Sequence, residues 1–345
     1  MTDKIKILIT GGCGFVGHHF VEYFLKKTDW EIIVFDSLTY AASGFDRLRD
    51  IECFDNERVK IFTVDLNKKI SDGIKQEVGE VDYIINMASE SHVDNSISDP
   101  VPFIQNNINL VLNMLEWARS LKYLKRFIHF STDEVYGTAP ASKNYEEGDR
   151  TNPGNPYAAS KAAQESICRA YSNTYKLPIQ ITNTMNVIGE RQHPEKFVPL
   201  VIRKVLNNET VKIHADSTLR KSGTRFYIHA RNVADAVFFI LQNCDKCLDN
   251  IDAGQGQFNI VGEFELSNLN LALSIADSLN LNLRFEMVDF HSSRPGHDLR
   301  YALDDSKLNR LGWFAPKGFY ETLDKVVDWT VNNPKWFRRQ HDSQS

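Results

Sequence analysis

The chain has 345 residues and a formal net charge of −5, with basic and acidic residues interspersed, so nothing in it indicates a nucleic-acid or membrane-surface protein. No apolar stretch approaches the roughly 20 residues of a membrane span, and the first six residues are too polar to begin a signal peptide. The five cysteines are scattered apart from Cys244 and Cys247, which lack the partners of a zinc site, so we expect no metal and free thiols in a reducing cytoplasm.

The first 27 residues have the order that begins a dinucleotide-binding fold. An apolar run at residues 5–10 predicts a strand, a turn follows with Gly11, Gly14 and Gly17, and a helical pattern covers residues 16–27. Such glycines let the backbone approach a pyrophosphate at the helix N-terminus, where free N–H groups and the helix dipole favour an anion. Alone, the glycine turn is also compatible with a purely structural role. Its assignment as a dinucleotide-binding turn therefore depends on the residues around it.

A second predicted strand, at residues 31–35, ends at Asp36. A carboxylate in this position can bind both hydroxyls of an adenosine ribose and would repel a 2′-phosphate. Ser37 follows where an NADP-dependent protein would often have a basic residue. We therefore predict NAD as the cofactor.

Strand and helix patterns continue to alternate along the chain. Further strands are predicted at residues 59–64, 83–87, 127–131 and 179–184, and helices at 101–121 and 157–175. This alternation predicts an α/β fold, a doubly wound parallel Rossmann sheet with helices on both faces. Ligands of such sheets bind at the carboxyl ends of the strands. One crevice should therefore contain Gly11, Asp36, Asp65, Ala88 and Thr132.

The character of the sequence changes after about residue 185, where segments shorten and polar loops rich in Arg, His and Asn appear. We predict an NAD-binding domain at residues 1–185, to which residues 230–258 return, and a smaller C-terminal α/β substrate domain at 186–345. Its basic loops, in an acidic chain, suggest an anionic substrate such as a diphosphate. For any single basic residue, an ordinary solvent-exposed position without a role in substrate binding is the alternative.

The most informative motif is Thr132-Asp133-Glu134, followed by Tyr157 and Lys161. A tyrosine can act as a base only if its pKa falls below its usual value of about 10. A lysine one helical turn away and an oxidised nicotinamide would both favour the phenolate. Two additional carboxyl groups are not needed to move a hydride, so they indicate an elimination coupled to the oxidation.

These residues resemble the nucleoside-diphosphate-glucose 4,6-dehydratases of the extended short-chain dehydrogenase/reductase superfamily. Residues 88–94, 194–196 and 294–301 also match, and the similarity covers essentially the whole chain. The adjacent Asp133 and Glu134 are the discriminating part, because related 4-epimerases and decarboxylases share the glycines and the Tyr–Lys pair but lack them. Two alternatives stay open: a nucleotide-sugar 4-epimerase of the same superfamily, and a non-catalytic NAD-binding scaffold protein.

The resemblance implies a reaction in three stages. Tyr157 takes the C4 hydroxyl proton while the C4 hydride moves to NAD, and Thr132 bonds that oxygen. Glu134 then removes the C5 hydrogen while Asp133 protonates the departing C6 hydroxyl. The hydride finally returns to C6, and C5 is reprotonated. Lys161 would bind the nicotinamide ribose. Asp133 must start protonated and Glu134 ionised, and mutual repulsion between neighbouring carboxyl groups would split their pKa values in this way.

The product implied is an NDP-4-keto-6-deoxyglucose, formed early in deoxysugar (rhamnose-type) biosynthesis. The implied NAD contacts are Gly11, Gly14, Phe15, Val16, Gly17, Asp36, Ser37, Leu38, Thr39, Asp65, Leu66, Met87, Ala88, Ser89, Ser91, Asn106, Tyr157, Lys161 and Val187. The implied contacts of the nucleotide-sugar substrate are Ser91, Thr132, Asn186, Lys196, Phe197, Arg225, Asn259, Arg294 and His297.

Three residues depart from the family pattern, Asn106, Leu110 and Asn232, and put local cofactor and loop geometry in doubt. Asn186-Val187 resembles the UDP-glucose members, which favours UDP-glucose over dTDP-glucose. The resemblance further implies a homodimer through the helices at residues 101–121 and 157–175, although burial within the monomer is the competing explanation for their apolar positions.

Overall fold

The structure is a computed structural model that describes residues 4–39, 42–243, 256–289 and 299–337. Its strands are β1 (Lys6–Thr10), β2 (Glu31–Asp36), β3 (Val59–Thr63), β4 (Tyr83–Asn86), β5 (Arg126–Thr132), β6 (Ile179–Thr184), β7 (Asn186–Ile188), β8 (Val211–Ala215), β9 (Thr224–His229), β10 (Gln257–Ile260), β11 (Glu265–Ser267) and β12 (Phe285–Asp289).

Its α-helices are α1 (Phe15–Lys27), α2 (Asp46–Asp50), α3 (Asp72–Val78), α4 (Val93–Ser98), α5 (Pro100–Ala118), α6 (Pro156–Tyr175), α7 (Phe197–Leu206), α8 (Ala230–Asn243), α9 (Asn268–Ser278), α10 (Ser306–Leu311) and α11 (Phe319–Asn332). Short 3₁₀ helices cover Asp133–Tyr136 and Pro334–Trp336. No helix in the described ranges is long and apolar enough to cross a membrane.

The centre of the molecule is a parallel sheet with the strand order β10-β6-β5-β4-β1-β2-β3. Side chains alternate between its faces, so Ile7 and Ile9 of β1 pack into one hydrophobic cluster and Leu8 into another. Helices α1 and α8 cover the first face, and α5 and α6 cover the second. The predicted doubly wound parallel Rossmann sheet is confirmed.

A smaller region follows β6 along the chain. It contains a three-stranded sheet, β11-β9-β7, and a two-stranded sheet, β12-β8. Helices α7, α9 and α11 pack around its own apolar core, which includes Val201, Ile213, Leu271 and Leu323. Strand β10 leaves this region and pairs with β6 at the edge of the central sheet. The boundary at residue 185 stays a prediction, and residues 244–255, with Cys244 and Cys247, lie outside the described residues.

Several local features differ from the predicted ones. Helix α5 ends at Ala118 rather than at residue 121, and the short helix α4 before it was not predicted. Apolar Leu115 of α5 is fully buried within the monomer, so it is not part of an exposed face. The cysteines Cys13, Cys53 and Cys168 are buried and free.

Candidate active site

A tight glycine turn joins β1 to α1. Gly11 has a φ of +72°, and its N–H donates to the carbonyl oxygen of Phe35 at 2.7 Å. A Cβ on Gly17 would lie 2.0 Å from the carbonyl oxygen of Gly11, so only glycine allows this approach of helix and turn. Among the described residues no side chain caps α1, and its first turn has no acidic residue. This helix N-terminus therefore suits a pyrophosphate.

Asp36 is the last residue of β2 and lies beside this turn. Its Oδ2 accepts a hydrogen bond from the Cys13 N–H at 2.9 Å, and its Oδ1 accepts one from the Leu38 N–H at 2.8 Å. Each carboxylate oxygen has a second lone pair, so Asp36 can also accept bonds from ribose hydroxyls. The two hydrogen bonds to backbone N–H groups hold the carboxylate beside the glycine turn, where it was predicted to bind the adenosine ribose of the cofactor.

One cleft of about 750 Å³ runs from the glycine turn to the carboxyl end of β5. All the predicted NAD contacts line it except Leu38, which packs against the core instead. Four predicted substrate contacts also line the cleft: Ser91, Thr132, Asn186 and Lys196. Phe197, Arg225 and Asn259 do not line it, and Arg294 and His297 lie outside the described residues.

Thr132, Asp133 and Glu134 lie where β5 ends and turns into a 3₁₀ helix. The Thr132 hydroxyl accepts the Glu134 N–H at 3.4 Å and donates to Oδ1 of Asp133 at 2.9 Å. Asp133 is buried, and its Oδ2 has no hydrogen-bond partner among the described residues. Burial, and then the charge of Glu134, raise the Asp133 pKa to about 7. Asp133 can therefore hold a proton at neutral pH, as a general acid must.

This raised pKa predicts how the stability of an Asp133→Asn variant changes with pH. Asp133 binds its proton more tightly in the folded chain than at its ordinary pKa of 3.8, so its contribution to stability is lost as the pH rises towards 7. A neutral asparagine has no such loss. We compare the free energy of unfolding of the variant with that of the wild type. Between about pH 5 and about pH 8 this difference should shift in favour of the variant by on the order of 2–4 kcal/mol. Denaturant unfolding at both pH values measures this, and parallel pH dependences would contradict it.

Tyr157 and Lys161 come from the first two turns of α6. Burial, and then the charge of Glu134, raise the pKa of Tyr157, while a hydrogen bond with Thr132 lowers it. The Lys161 Nζ donates to the carbonyl oxygen of Phe130 at 2.6 Å, and burial lowers its pKa to about 8. Burial and the neighbouring carboxylates act in the same direction, and both raise the Tyr157 pKa in this structure. The lowering expected from Lys161 together with an oxidised nicotinamide stays a prediction.

A buried polar network supports the end of β5 from behind. Asn183 of β6 donates through Nδ2 to the Thr132 carbonyl oxygen at 3.1 Å and to Oε1 of Glu165 at 2.7 Å. Arg169 donates to Oε2 of Glu165 at 3.0 Å and to Gln257 of β10 at 2.7 Å. No pattern in the sequence predicts this network, because its members lie on three separate elements, β6, α6 and β10. It holds the strand end that carries Thr132.

Two residues that were predicted to contact the substrate form hydrogen bonds with the protein backbone instead. The Arg225 guanidinium donates through Nη1 to the carbonyl oxygens of Thr224 and Leu299 at 2.7 and 2.9 Å. The Asn259 amide donates to the carbonyl oxygens of Tyr145 and Asp304 at 2.9 and 3.2 Å. In this structure both side chains therefore bond backbone carbonyl groups, and neither lines the cleft.

The three departures from the family pattern fall in different places. Asn106 and Leu110 both line the cleft. Their neighbour Asn107 is buried and bonds the backbone N–H and carbonyl of Glu90, at 2.9 and 3.1 Å. Asn232 lies elsewhere and donates to the Lys317 carbonyl oxygen at 2.8 Å. Only the first two departures can therefore affect a bound cofactor directly.

Residues without a predicted role also line or support the site. Glu195 has its Oε1 3.4 Å from both His92 Nε2 and His193 Nδ1, and all three line the cleft. Asn155 and Tyr301 bond Glu134. Tyr301 and His92 belong to stretches that carried the family resemblance, which was their only signal in the sequence.

Residues 8–326 match the model of the GDP-mannose 4,6-dehydratase family. The chain is 35% identical over 329 residues to the low-salt glycan biosynthesis protein Agl12 of Haloferax volcanii, a match that covers 95% of this chain and 99% of that protein. It is 33% identical over 353 residues to a probable dTDP-glucose 4,6-dehydratase of Sinorhizobium fredii, covering 98% and 96%.

Among solved structures it is similar to DesIV, a dTDP-glucose 4,6-dehydratase of Streptomyces venezuelae crystallised with NAD. The TM-score is 0.82 and the identity 32%, over 97% of this chain and 99% of that one. The chain therefore belongs to the GDP-mannose 4,6-dehydratase family. Its predicted resemblance to the nucleoside-diphosphate-glucose 4,6-dehydratases is confirmed.

Proposed function

We propose that this protein is a nucleoside-diphosphate-glucose 4,6-dehydratase that converts UDP-glucose or dTDP-glucose to the 4-keto-6-deoxy sugar and water, early in deoxysugar (rhamnose-type) biosynthesis. One observation carries the proposal. Asp133 lies buried between Thr132 and Glu134 with a pKa near 7, in the same cleft as Tyr157 and Lys161. A simple oxidoreductase needs no protonated carboxyl group beside a second carboxyl group, whereas an elimination needs both an acid and a base.

The residues of the chain have separate roles in this reaction. Tyr157 receives the C4 hydroxyl proton, and Thr132, hydrogen-bonded to it, orients that oxygen. Glu134 takes the C5 proton, and the electron pair of the C5–H bond forms a C5–C6 double bond. As the C6–O bond breaks, Asp133 gives its proton to the departing hydroxyl, which leaves as water. Two neighbouring carboxyl groups with opposite protonation states therefore supply the acid and the base.

NAD is the cofactor, as predicted. DesIV, the similar protein from Streptomyces venezuelae, was crystallised with NAD bound. The residues present suit NAD. The N-terminus of α1, which no side chain caps among the described residues, can accept a pyrophosphate, and Asp36 can accept a ribose. Lys161 and Tyr157 line the far end of the cleft. When bound, NAD supplies a hydride acceptor for C4 and a hydride donor for C6.

We expect protein purified without added NAD to release NAD on denaturation, because a reaction that returns the hydride gains nothing from cofactor exchange. Titration of the apoprotein should give tighter binding of NAD than of NADP. The Asp36→Asn variant keeps the size of the side chain but removes the charge that repels a 2′-phosphate. The difference in affinity between NAD and NADP should therefore be smaller in this variant than in the wild type. Tighter binding of NADP by the wild type would contradict the role of Asp36.

Incubation with UDP-glucose and with dTDP-glucose, followed by mass spectrometry, tests the activity. A product that has lost water supports a dehydratase, and the relative kcat/KM values identify the base. We expect UDP-glucose to be preferred, since Asn186-Val187 resembles the UDP-glucose members and Asn186 lies exposed in the cleft. An isomeric product without loss of water would indicate a 4-epimerase, and bound NAD without turnover would indicate a scaffold protein.

We infer a homodimer formed by α5 and α6, as the family resemblance implies. These two helices pack against each other, and Leu112 and Ile167 on them stay partly exposed, whereas Leu115 is used within the monomer. Light scattering at micromolar concentration should give twice the 39.5 kDa of one chain. A Leu112→Glu change should then shift the mass towards the monomer, and a wild-type monomer would exclude the dimer.

A further inference from the structure

Two hydrogen-bond donors converge on one oxygen of Glu134. The Asn155 amide donates through Nδ2 to Oε2 at 3.1 Å, and the Tyr301 hydroxyl donates to the same oxygen at 3.4 Å. Neither donor lines the cleft, so both reach Glu134 from the side of the protein rather than from the substrate side. Because Asn155 is 21 residues away in sequence and Tyr301 is 167 residues away, only the folded chain brings the three together.

The orientation of the Asn155 amide is fixed by a second bond. Asn155 is the N-cap residue of α6, and its Oδ1 accepts the N–H of Ala158 at 2.8 Å. The opposite end of the same amide group therefore has to present its N–H groups towards Glu134. One side chain thus links the start of the helix that carries Tyr157 to the carboxylate of Glu134.

The position of the Tyr301 hydroxyl is fixed by packing. The Tyr301 ring is buried in a cluster with Val135 and Tyr136, directly after Glu134 in the chain. The Arg225 guanidinium lies 4.3 Å from the centre of this ring, on its face, and is itself tethered to two backbone carbonyl oxygens. Because the ring is buried in this cluster and covered by the guanidinium, its hydroxyl has little freedom and stays directed at Oε2 of Glu134.

We propose that Asn155 and Tyr301 are positioning residues that hold Glu134 in place as the ionised base for the C5 proton. This inference rests on the proposed function. Donors that bond a carboxylate favour its ionised form, whereas the neighbouring Asp133 has no hydrogen-bond partner at Oδ2 among the described residues. Burial and the charge of Glu134 favour the protonated form of Asp133, and the two donors favour the charged form of Glu134, so the two adjacent carboxyl groups can take the opposite protonation states that the elimination requires.

Asn155→Ser and Tyr301→Phe test this proposal with little change in structure. Serine is as good an N-cap as asparagine but lacks the amide donor, and phenylalanine keeps the ring that Arg225 covers. Each variant should lose water and exchange the C5 hydrogen with solvent deuterium more slowly by about tenfold to a hundredfold, the range for a lost hydrogen bond to a charged group. Oxidation at C4, seen as reduced cofactor after rapid mixing, should keep its wild-type rate.

The pH dependence separates positioning from a structural role. With one donor removed, the ionised form of Glu134 is less favoured. The fall of kcat on the acidic side of its pH profile should therefore move to higher pH in both variants. Asn155→Asp, which also caps the helix, places a second negative charge beside Glu134 and should move this limb further. Tyr145→Phe is the matched control, because its hydroxyl bonds only the exposed Thr138 carbonyl oxygen among the described residues, and it should leave exchange and pH profile unchanged.

Wild-type C5 exchange in the Asn155→Ser/Tyr301→Phe double variant would overturn the proposal, as would C4 oxidation that slows in the same proportion as water loss. Crystal structures of the variants test it without turnover. A Glu134 carboxylate that keeps its wild-type position in the double variant overturns the proposal, and a displaced one supports it. Failure of the wild-type protein to remove water from either sugar nucleotide would instead overturn the proposed function.

Discussion

Replacement of Asp133 by asparagine, or of Glu134 by glutamine, is expected to stop the reaction after C4 has been oxidised. Each change removes one partner of the elimination but leaves Tyr157 and the cofactor site intact. General acid–base groups typically contribute about 10²–10⁴-fold to the rate, so kcat should fall by that factor. Reduced cofactor should therefore accumulate in a single turnover, which rapid-mixing absorbance measures directly.

The two variants should differ in one respect that assigns acid and base. Asp133→Asn retains Glu134 as the base, so the C5 hydrogen should still exchange with solvent deuterium. Glu134→Gln should lose this exchange. If Glu134→Gln instead exchanges C5 at the wild-type rate, Glu134 is not the base, and the roles of the two carboxyl groups have been assigned incorrectly.

Tyr157→Phe is expected to block the first step rather than the second. Without the hydroxyl, no group in the position of Tyr157 can receive the C4 proton, so the bound cofactor should stay oxidised on mixing with substrate. We expect kcat to fall by about 10²–10⁴-fold with little change in substrate affinity. The burial of Tyr157 raises its pKa, so turnover of the wild type should increase with pH wherever this step limits the rate. Accumulation of reduced cofactor in Tyr157→Phe would rule out its role as the base.

The features predicted correctly from the sequence are those specified by local patterns. The apolar run before Gly11 has the length of a buried strand, and Gly17 allows the helix to approach the turn at Gly11 closely. Asp36 and Tyr157 both line the cleft, Asp36 as the last residue of β2 and Tyr157 as a residue of the first turn of α6.

The features that the sequence did not predict depend on tertiary packing. The contact of Tyr301 with Glu134 joins two segments that no local pattern relates. The bonding of Asn259 to two backbone carbonyl groups likewise depends on loops that meet only in the fold. The depth at which the Tyr157 phenol is buried, which raises its pKa, likewise depends on packing that no local pattern shows.

The late return of β10 to the central sheet constrains the order of folding. Until residues 257–260 have been synthesised and docked, β6 is an edge strand whose backbone N–H and carbonyl groups are open to pairing with other chains. Docking also brings Gln257 to Asn183, which otherwise has a buried amide oxygen without this donor. A fragment ending at residue 185 would therefore be prone to aggregation, and the nascent chain depends on its C-terminal half to protect its own sheet.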